Sequence, residues 1–276
     1  MRPQCHHVLL TASLAMQSPP IRSDLQSLGF PRHNFISMAA SNNTEVPGEP
    51  TTIATSLLET ATSAIQSFAP ISNIHQHLCA FHFYADDMTR HVEAHHFCGH
   101  LNEEVRQCLI FDGPDKESKM IGVEYIITEH MFLTLPDEEK KLWHSHLYEI
   151  KGAILFMPRL PLPIELQEMD TLSKTYGKTY HVWQIDKGHS FPFGLPQLMM
   201  AFTRDGQIDE DLHRNAAQRF GVDLKKEIEK REHISGLAHG VHPLANAGGK
   251  GLKTVLREVP LSPDDAVPPG AARVFV

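Results

Sequence analysis

Apolar positions in TTIATSLLETATSAIQSF fall at Ile53, Leu57, Ala61, Ala64, Ile65 and Phe68, the spacing that gathers one face of an α-helix. The opposite face is Ser and Thr rather than Lys and Arg, so the pattern predicts a helix packed on the core rather than one lying on a membrane. From residue 74 to 128 the period falls to two. His75 to Leu78, Arg90 to Cys98, Val105 to Phe111 and Met120 to Thr128 alternate or run apolar between turn signals, GPDKES being the clearest turn. These stretches predict an antiparallel sheet.

Pro136 followed by Asp137, Glu138 and Glu139 marks a helix start, with proline in the first turn and acids at the positive end of the dipole; that helix should stop near His144. HSHLYEIKGAILFMP returns to strand character. After PRLPLP a helix is expected to run to about Tyr176 with Gly177 as its C′ residue, and KTYHVWQID reads as a further strand. Beyond Asp205 the pattern is helical, with Asp209, Glu210 and Asp211 in a first turn, a break near Gly221, and DLKKEIEKREHI as a second piece. The expected fold is α+β, a single domain with a mainly antiparallel sheet flanked by helices. Residues 1–50 read as a disordered or targeting extension, 51–235 as the domain and 236–276 as a flexible tail.

The 276 residues, 41% of them hydrophobic, suffice for one sizeable core. The formal charge of −8 comes from 33 acidic against 25 basic residues without a long block of either sign, which argues against nucleic acid as a partner. No apolar run approaches the roughly 20 residues of a transmembrane helix. Cys79, Cys98 and Cys108 lie in the body of the chain and Cys5 in the extension, without CxxC spacing or a disulfide framework, so a reducing intracellular compartment is expected. Arg2, Arg22 and Arg32 with few acids give the extension a transit-peptide composition. Pro19, Pro20 and Pro31 interrupt any amphipathic helix there, which favours a disordered extension over mitochondrial targeting.

Histidine is the strongest chemical signal. Seven lie between His75 and His100, and His144 and His146 form a second dense pair. Neutral imidazole is a common ligand for zinc, iron and copper. Strand parity sets His75 and His77 on one face and His82 on the other, and prevents His95 and His96 from facing one site. His144 and His146, two apart, can share a face. Glu149 would then point away from them unless the backbone bulges. Glu124, inside the apolar run IGVEYII, is the better carboxylate. A buried ionised group there needs a cation, either a metal or a basic side chain such as Arg90 or Lys151. The expected ligand pool is His82, His95, His96, Glu124, His144 and His146, binding a divalent zinc, iron or copper ion. Glu149 and His181 are candidate proton carriers. Phosphate-binding glycine loops and a G-x-S-x-G elbow are missing; GGKG at Gly248 has no strand before it.

HLCAFHFYADD, RHVEAHHFC, LNEEVRQCLIFD, IGVEYIITE, LPDEEKKLWHSHLYEIK, YGKTYHVWQID and GLPQLMMAFT resemble the oil-body-associated protein family of plants, which has fungal and bacterial relatives. The resemblance covers about residues 72–235 and carries His82, His95, His96, Glu124, Trp143, His144, His146, Glu149, His181 and Trp183 as motif positions. It implies an intracellular protein peripheral to lipid droplets and implies no reaction. The alternative expectation is a metal-dependent enzyme acting on a small organic substrate in a biosynthetic pathway.

Overall fold

The computed structural model describes residues 45–259 of the chain. Most of the expected extension, residues 1–50, lies outside them. Among the described residues one antiparallel sheet carries the fold, built from β1 (Gln76–Tyr84), β2 (Asp87–Asn102), β3 (Val105–Phe111), β4 (Met120–Thr128), β5 (His144–Ser145), β6 (Thr175–His181) and β7 (Gln197–Met200). The strand order is β4-β3-β2-β1-β7-β6-β5, and β4 also pairs with β6. One edge of β6 is taken by β4 along its length; the other is shared, β5 on Tyr176 and Gly177, β7 from Thr179 to His181. The sheet therefore closes into a ring, β1–β2–β3–β4–β6–β7, and the ring strands have neighbours on both sides.

Opposed residues of an antiparallel pair project to one face. Leu78 lies opposite His96, Cys98 opposite Cys108, Cys108 opposite Glu124, Glu124 opposite Thr179, and Gly177 opposite both Ile126 and His144. All of these therefore point into the ring. Apolar residues fill its two ends. Leu78, Ala80, Cys98 and Ile126 belong to one core cluster, and Tyr84, Ala94, Ile121 and Met199 to another. In β1, β2 and β4 the residue between the two plugs is polar: His82, His96 and Glu124.

The helices are α1 (Ile53–Ile65), α2 (Ala69–Ser72), α3 (Glu129–Thr134), α4 (Asp137–Lys140), α5 (Leu147–Lys151), α6 (Leu162–Leu172), α7 (Glu210–Phe220) and α8 (Leu224–Arg231). Ile150 of α5, Met169 and Leu172 of α6 and Ile234 beyond α8 pack on the first plug. Arg231, fully buried, fixes these pieces together: its guanidinium donates to Ile150 O at 3.0 Å, Leu155 O at 2.8 Å and Glu165 Oε1 at 3.0 Å. On the outside, Phe81, Phe83 and Met200 pack against Ala216 of α7 and Ala247.

The observed α+β domain and its antiparallel sheet agree with the sequence pattern, and several local expectations do not. No residue of α1 is buried, and Ile53 is 83% exposed, so the helix is not packed on the core. HSHLYEIKGAILFMP is a two-residue strand, then α5 and a loop, instead of one strand. Gly177 lies inside β6 instead of capping α6, which ends at Leu172. Cys98 and Cys108 are joined in a disulfide, where free thiols were expected; they stand directly opposite each other in β2 and β3, with Cα atoms 4.1 Å apart. Residues 236–252 pack on the domain through buried Leu237, Ala245 and Ala247, although a flexible tail was expected from 236. No helix among the described residues is long and apolar enough to cross a membrane.

Candidate metal centre

Seven polar side chains meet inside the ring, each at most 3% exposed: His82 from β1, His96 from β2, Glu124 from β4, His144 from β5, His146 and Glu149 from the α5 turn, and His181 from the end of β6. Glu124 is the hub. His96 Nε2 lies 2.9 Å from its Oε2, and His146 Nε2 and His144 Nε2 lie 3.2 and 3.3 Å from its Oε1. His82 Nδ1 is 3.2 Å from His181 Nε2. Two overlapping groups are able to hold a metal ion, each with ligand atoms within 4.8 Å of one another: His82, Glu124 and His144, and His144, His146 and Glu149. A small cavity of about 10 Å³ touches His82, His96, Glu124, His146 and Glu149. That is the space of a single water or ion.

Gly177 forms the floor. A Cβ at this position would collide with Glu124 Oε1 and stand 2.7 Å from Nε2 of both His144 and His146. Only glycine lets these three side-chain atoms approach the strand backbone there.

The proton count leaves the cluster short of positive charge. The Thr175 hydroxyl gives its one proton to Leu172 O at 2.7 Å, so it must accept from His146 Nδ1–H at 2.8 Å. A neutral His146 then carries a lone pair on Nε2, facing Glu124 Oε1. Burial, Glu124 partly opposing, holds His146 below its ordinary pKa and so keeps it neutral. Burial likewise lowers His82 well below the usual range and His181 to about 3. For Glu124 burial acts upward, and the imidazoles of His144, His146 and His96 act downward to the extent that they present a proton to it. Glu149 is raised well above 4.5 by burial and by the charge of Glu124. Glu124 Oε1 and His146 Nε2 thus meet at 3.2 Å with no proton supplied from the imidazole. Both nitrogens of His96 and of His144 also lack a hydrogen-bond partner among the described residues, as do Glu149 Oε1, Thr179 Oγ1 and His181 Nδ1. The imidazole contacts to Glu124 from His96 and His144 are close without being aligned as hydrogen bonds. Buried imidazole nitrogens that converge on a carboxylate without hydrogen-bond partners are an arrangement a cation would satisfy.

Of the expected ligands, His82, His96, Glu124, His144 and His146 come together and His95 does not. His95 is on the outer face of β2, its Nε2 2.9 Å from Glu93 Oε1 and its Nδ1 3.0 Å from His77 Nε2. Parity, which separates adjacent strand residues, puts it there. Glu149 reaches the cluster because β5 stops at Ser145 and the chain turns into α5, so the parity that would send it outward does not apply. His181 lies beside His82. Glu124 pairs with neither alternative cation: Arg90 binds Asp186, and Lys151 is exposed. Gly177, Thr175 and Thr179 are not marked in the sequence as parts of a site. Gly177 carried a signal, a glycine beside strand-like residues, that was read as a helix end.

A closed antiparallel ring around a histidine–carboxylate cluster is the class of protein that fold and site define. Residues 68–235 match the family DUF1264, described as a protein of unknown function. Oil body-associated protein 1A of Zea mays is 59% identical over 239 residues, covering 86% of this chain and 100% of that protein. Oil body-associated protein 1B of Arabidopsis thaliana is 59% identical over 222 residues, 80% of this chain and 92% of that protein, and oil body-associated protein 2A of Zea mays is 37% identical over 199 residues. No solved structure matches the chain. The chain belongs to the oil-body-associated protein family.

Proposed function

We propose that the chain is a metal-binding protein of lipid-droplet surfaces, holding one divalent ion inside the ring on His82, His96, Glu124, His144 and His146. The observation that carries this reading is the buried convergence of His96, His144 and His146 on Glu124, with no Lys or Arg among the ion-pair partners of Glu124. The donor set is imidazole and carboxylate, which suits zinc, iron or copper. Thr175 would fix the ring of His146, the usual task of an outer partner to a ligating histidine. A cavity of about 10 Å³ admits an ion or a water and no organic substrate, which favours a centre that holds the fold together over turnover of a small organic molecule. In the enzymatic alternative Glu149, kept neutral by burial, and His181 would carry protons.

Attachment to a droplet is supported by α1 and by the names of the relatives. Ile53, Leu57, Leu58 and Ile65 are all at least 57% exposed, and Glu59 is the only charged residue of the helix. Such a helix binds through its apolar side chains and gains little from anionic lipids. The deciding experiment for the metal is elemental analysis of protein purified without chelator. About one equivalent of zinc, iron or copper is expected; substoichiometric metal unchanged by adding metal back refutes the centre. For the surface, Leu57→Asp should abolish flotation with triolein droplets while metal content stays the same.

A further inference from the structure

A second cavity, about 610 Å³, opens on the outside of the ring between the β1–β2 turn, the segment after β7 and residues 241–251. Its volume lies in the roughly 300–1,000 Å³ range of small-molecule sites. Phe83, Met88, Met200 and Val241 give it apolar wall, while Arg204 and Lys250 bring two cationic side chains that have no ion-pair partner among the described residues. The acid that lines it, Asp86, already has Lys253 Nζ at 3.5 Å. Two uncompensated cations on one cavity stand out in a chain of net charge −8.

The backbone around them is held in place. Gln207 Oε1 accepts from the N–H groups of Thr203 and Arg204 at 2.7 and 3.1 Å, fixing the chain at Arg204. Asn246, Ala247, Gly248 and Gly249 follow one another with φ of 53°, 58°, 60° and 72°. Asn246 and Ala247 have no glycine freedom, so this left-handed run is strained. It is held by Asn246 N–H donating to Trp143 O at 2.8 Å and by Asn246 Oδ1 accepting from Ser145 N–H at 3.0 Å. The run delivers Lys250 to the cavity. His242, whose Nδ1 accepts from Leu244 N–H at 3.1 Å, also lines the cavity.

We propose that this cavity binds a single-chain anionic amphiphile, its carboxylate or phosphate head on Arg204 and Lys250 and its hydrocarbon chain along Phe83, Met88, Met200 and Val241. An inorganic anion would leave the apolar wall unused, and a neutral chain would leave both cations unpaired. The metal centre is not a premise, and the same binding is expected with and without chelator.

The test is calorimetric titration with decanoate, decyl phosphate, decanol and inorganic phosphate, each below its micelle concentration. Both amphiphilic anions should bind, at least about tenfold tighter than decanol or phosphate, the scale set by charge-assisted hydrogen bonds. The tighter of the two names the head group. Arg204→Ala with Lys250→Ala should weaken decanoate by at least about tenfold and leave decanol unchanged, with an unaltered melting temperature because both side chains are exposed. Should that variant melt lower, Met88→Asp, at a side chain 47% exposed, should weaken decanoate by the same order. Equal binding of decanol and decanoate, unchanged affinity in these variants, or no binding of either anion overturns the proposal.

Discussion

His95 and His96 are neighbours in β2 and meet opposite fates. On the outer face His95 sits in a chain of polar contacts: its Nε2 is 2.9 Å from Glu93 Oε1, its Nδ1 is 3.0 Å from His77 Nε2, and Arg219 pairs with the other oxygen of Glu93. Cys79 Sγ, 4.0 Å from Glu93, completes a group with metal-like spacing. Its carboxylate already has a cation from the protein. On the inner face His96 stands 2.9 Å from Glu124, neither of its nitrogens is hydrogen-bonded, and the ion-pair partners of Glu124 are all imidazoles. Histidine beside carboxylate is therefore not by itself a metal signature. What separates the faces is whether the protein supplies its own positive charge.

Removing metal should break the symmetry most. A chelator is expected to lower stability by about 4 kcal/mol where free metal had stood a thousandfold above its dissociation constant, read as a fall in melting temperature. The double variant Glu124→Gln, His144→Ala should show no such fall, and an unchanged melt in the parent would erase the difference between the faces. Next comes Gly177→Ala, whose added methyl enters the inner cluster. We expect a loss of about 1–3 kcal/mol by denaturant melting, typical of overpacking, together with loss of metal; Gly251→Ala, whose Cβ would meet nothing closer than Ala85 O at 3.6 Å, should do neither. Glu124→Gln should weaken metal affinity at least about tenfold, whereas Glu93→Gln should leave metal content alone and cost at most about 1 kcal/mol. Equal metal loss in both would show that the outer group also takes part.

The smallest effect concerns acid. Burial, then the charges of His95, His96 and Arg159, lowers His77 to about 4. A histidine depressed below its unfolded value near 6.5 stabilises fully above that pH, because the unfolded chain binds the extra proton; the contribution is lost as pH falls from 6.5 toward 4. His77→Gln should reduce the slope of stability against pH in that window by less than about 1.4 kcal/mol per unit, since the ring is partly exposed and screened. An identical slope in the variant removes His77 as its source.

The sheet was legible because period-two alternation survives in β2, β3 and β4, where one face is buried and the other is not. Glu124 was legible for the same reason, as a charge at an inward position of an apolar strand. The ring closure was not. Pairing of β4 with β6 joins residues far apart in sequence, and nothing local records it. His144, His146 and Glu149 converge through a change from strand to helix at Ser145 that the apolar run GAILFMP masked. The exposed face of α1 was unreadable in principle: an amphipathic pattern says that a face seeks a partner, and the partner need not be the same domain.

The way the ring closes also sets a sequence of events in time. β1 to β4 are successive neighbours and can pair as soon as they are synthesised, but Phe83 must wait for Met200 and Gly122 for His181 before the chamber is sealed. Glu124, His144 and His146 therefore exist as a set only once β6 has been made and has paired with both β4 and β5. An ion held there would sit among side chains at most 3% exposed. Exchange of labelled zinc into the folded protein, compared with the unfolding rate, then reads whether the ring must open for the ion to leave.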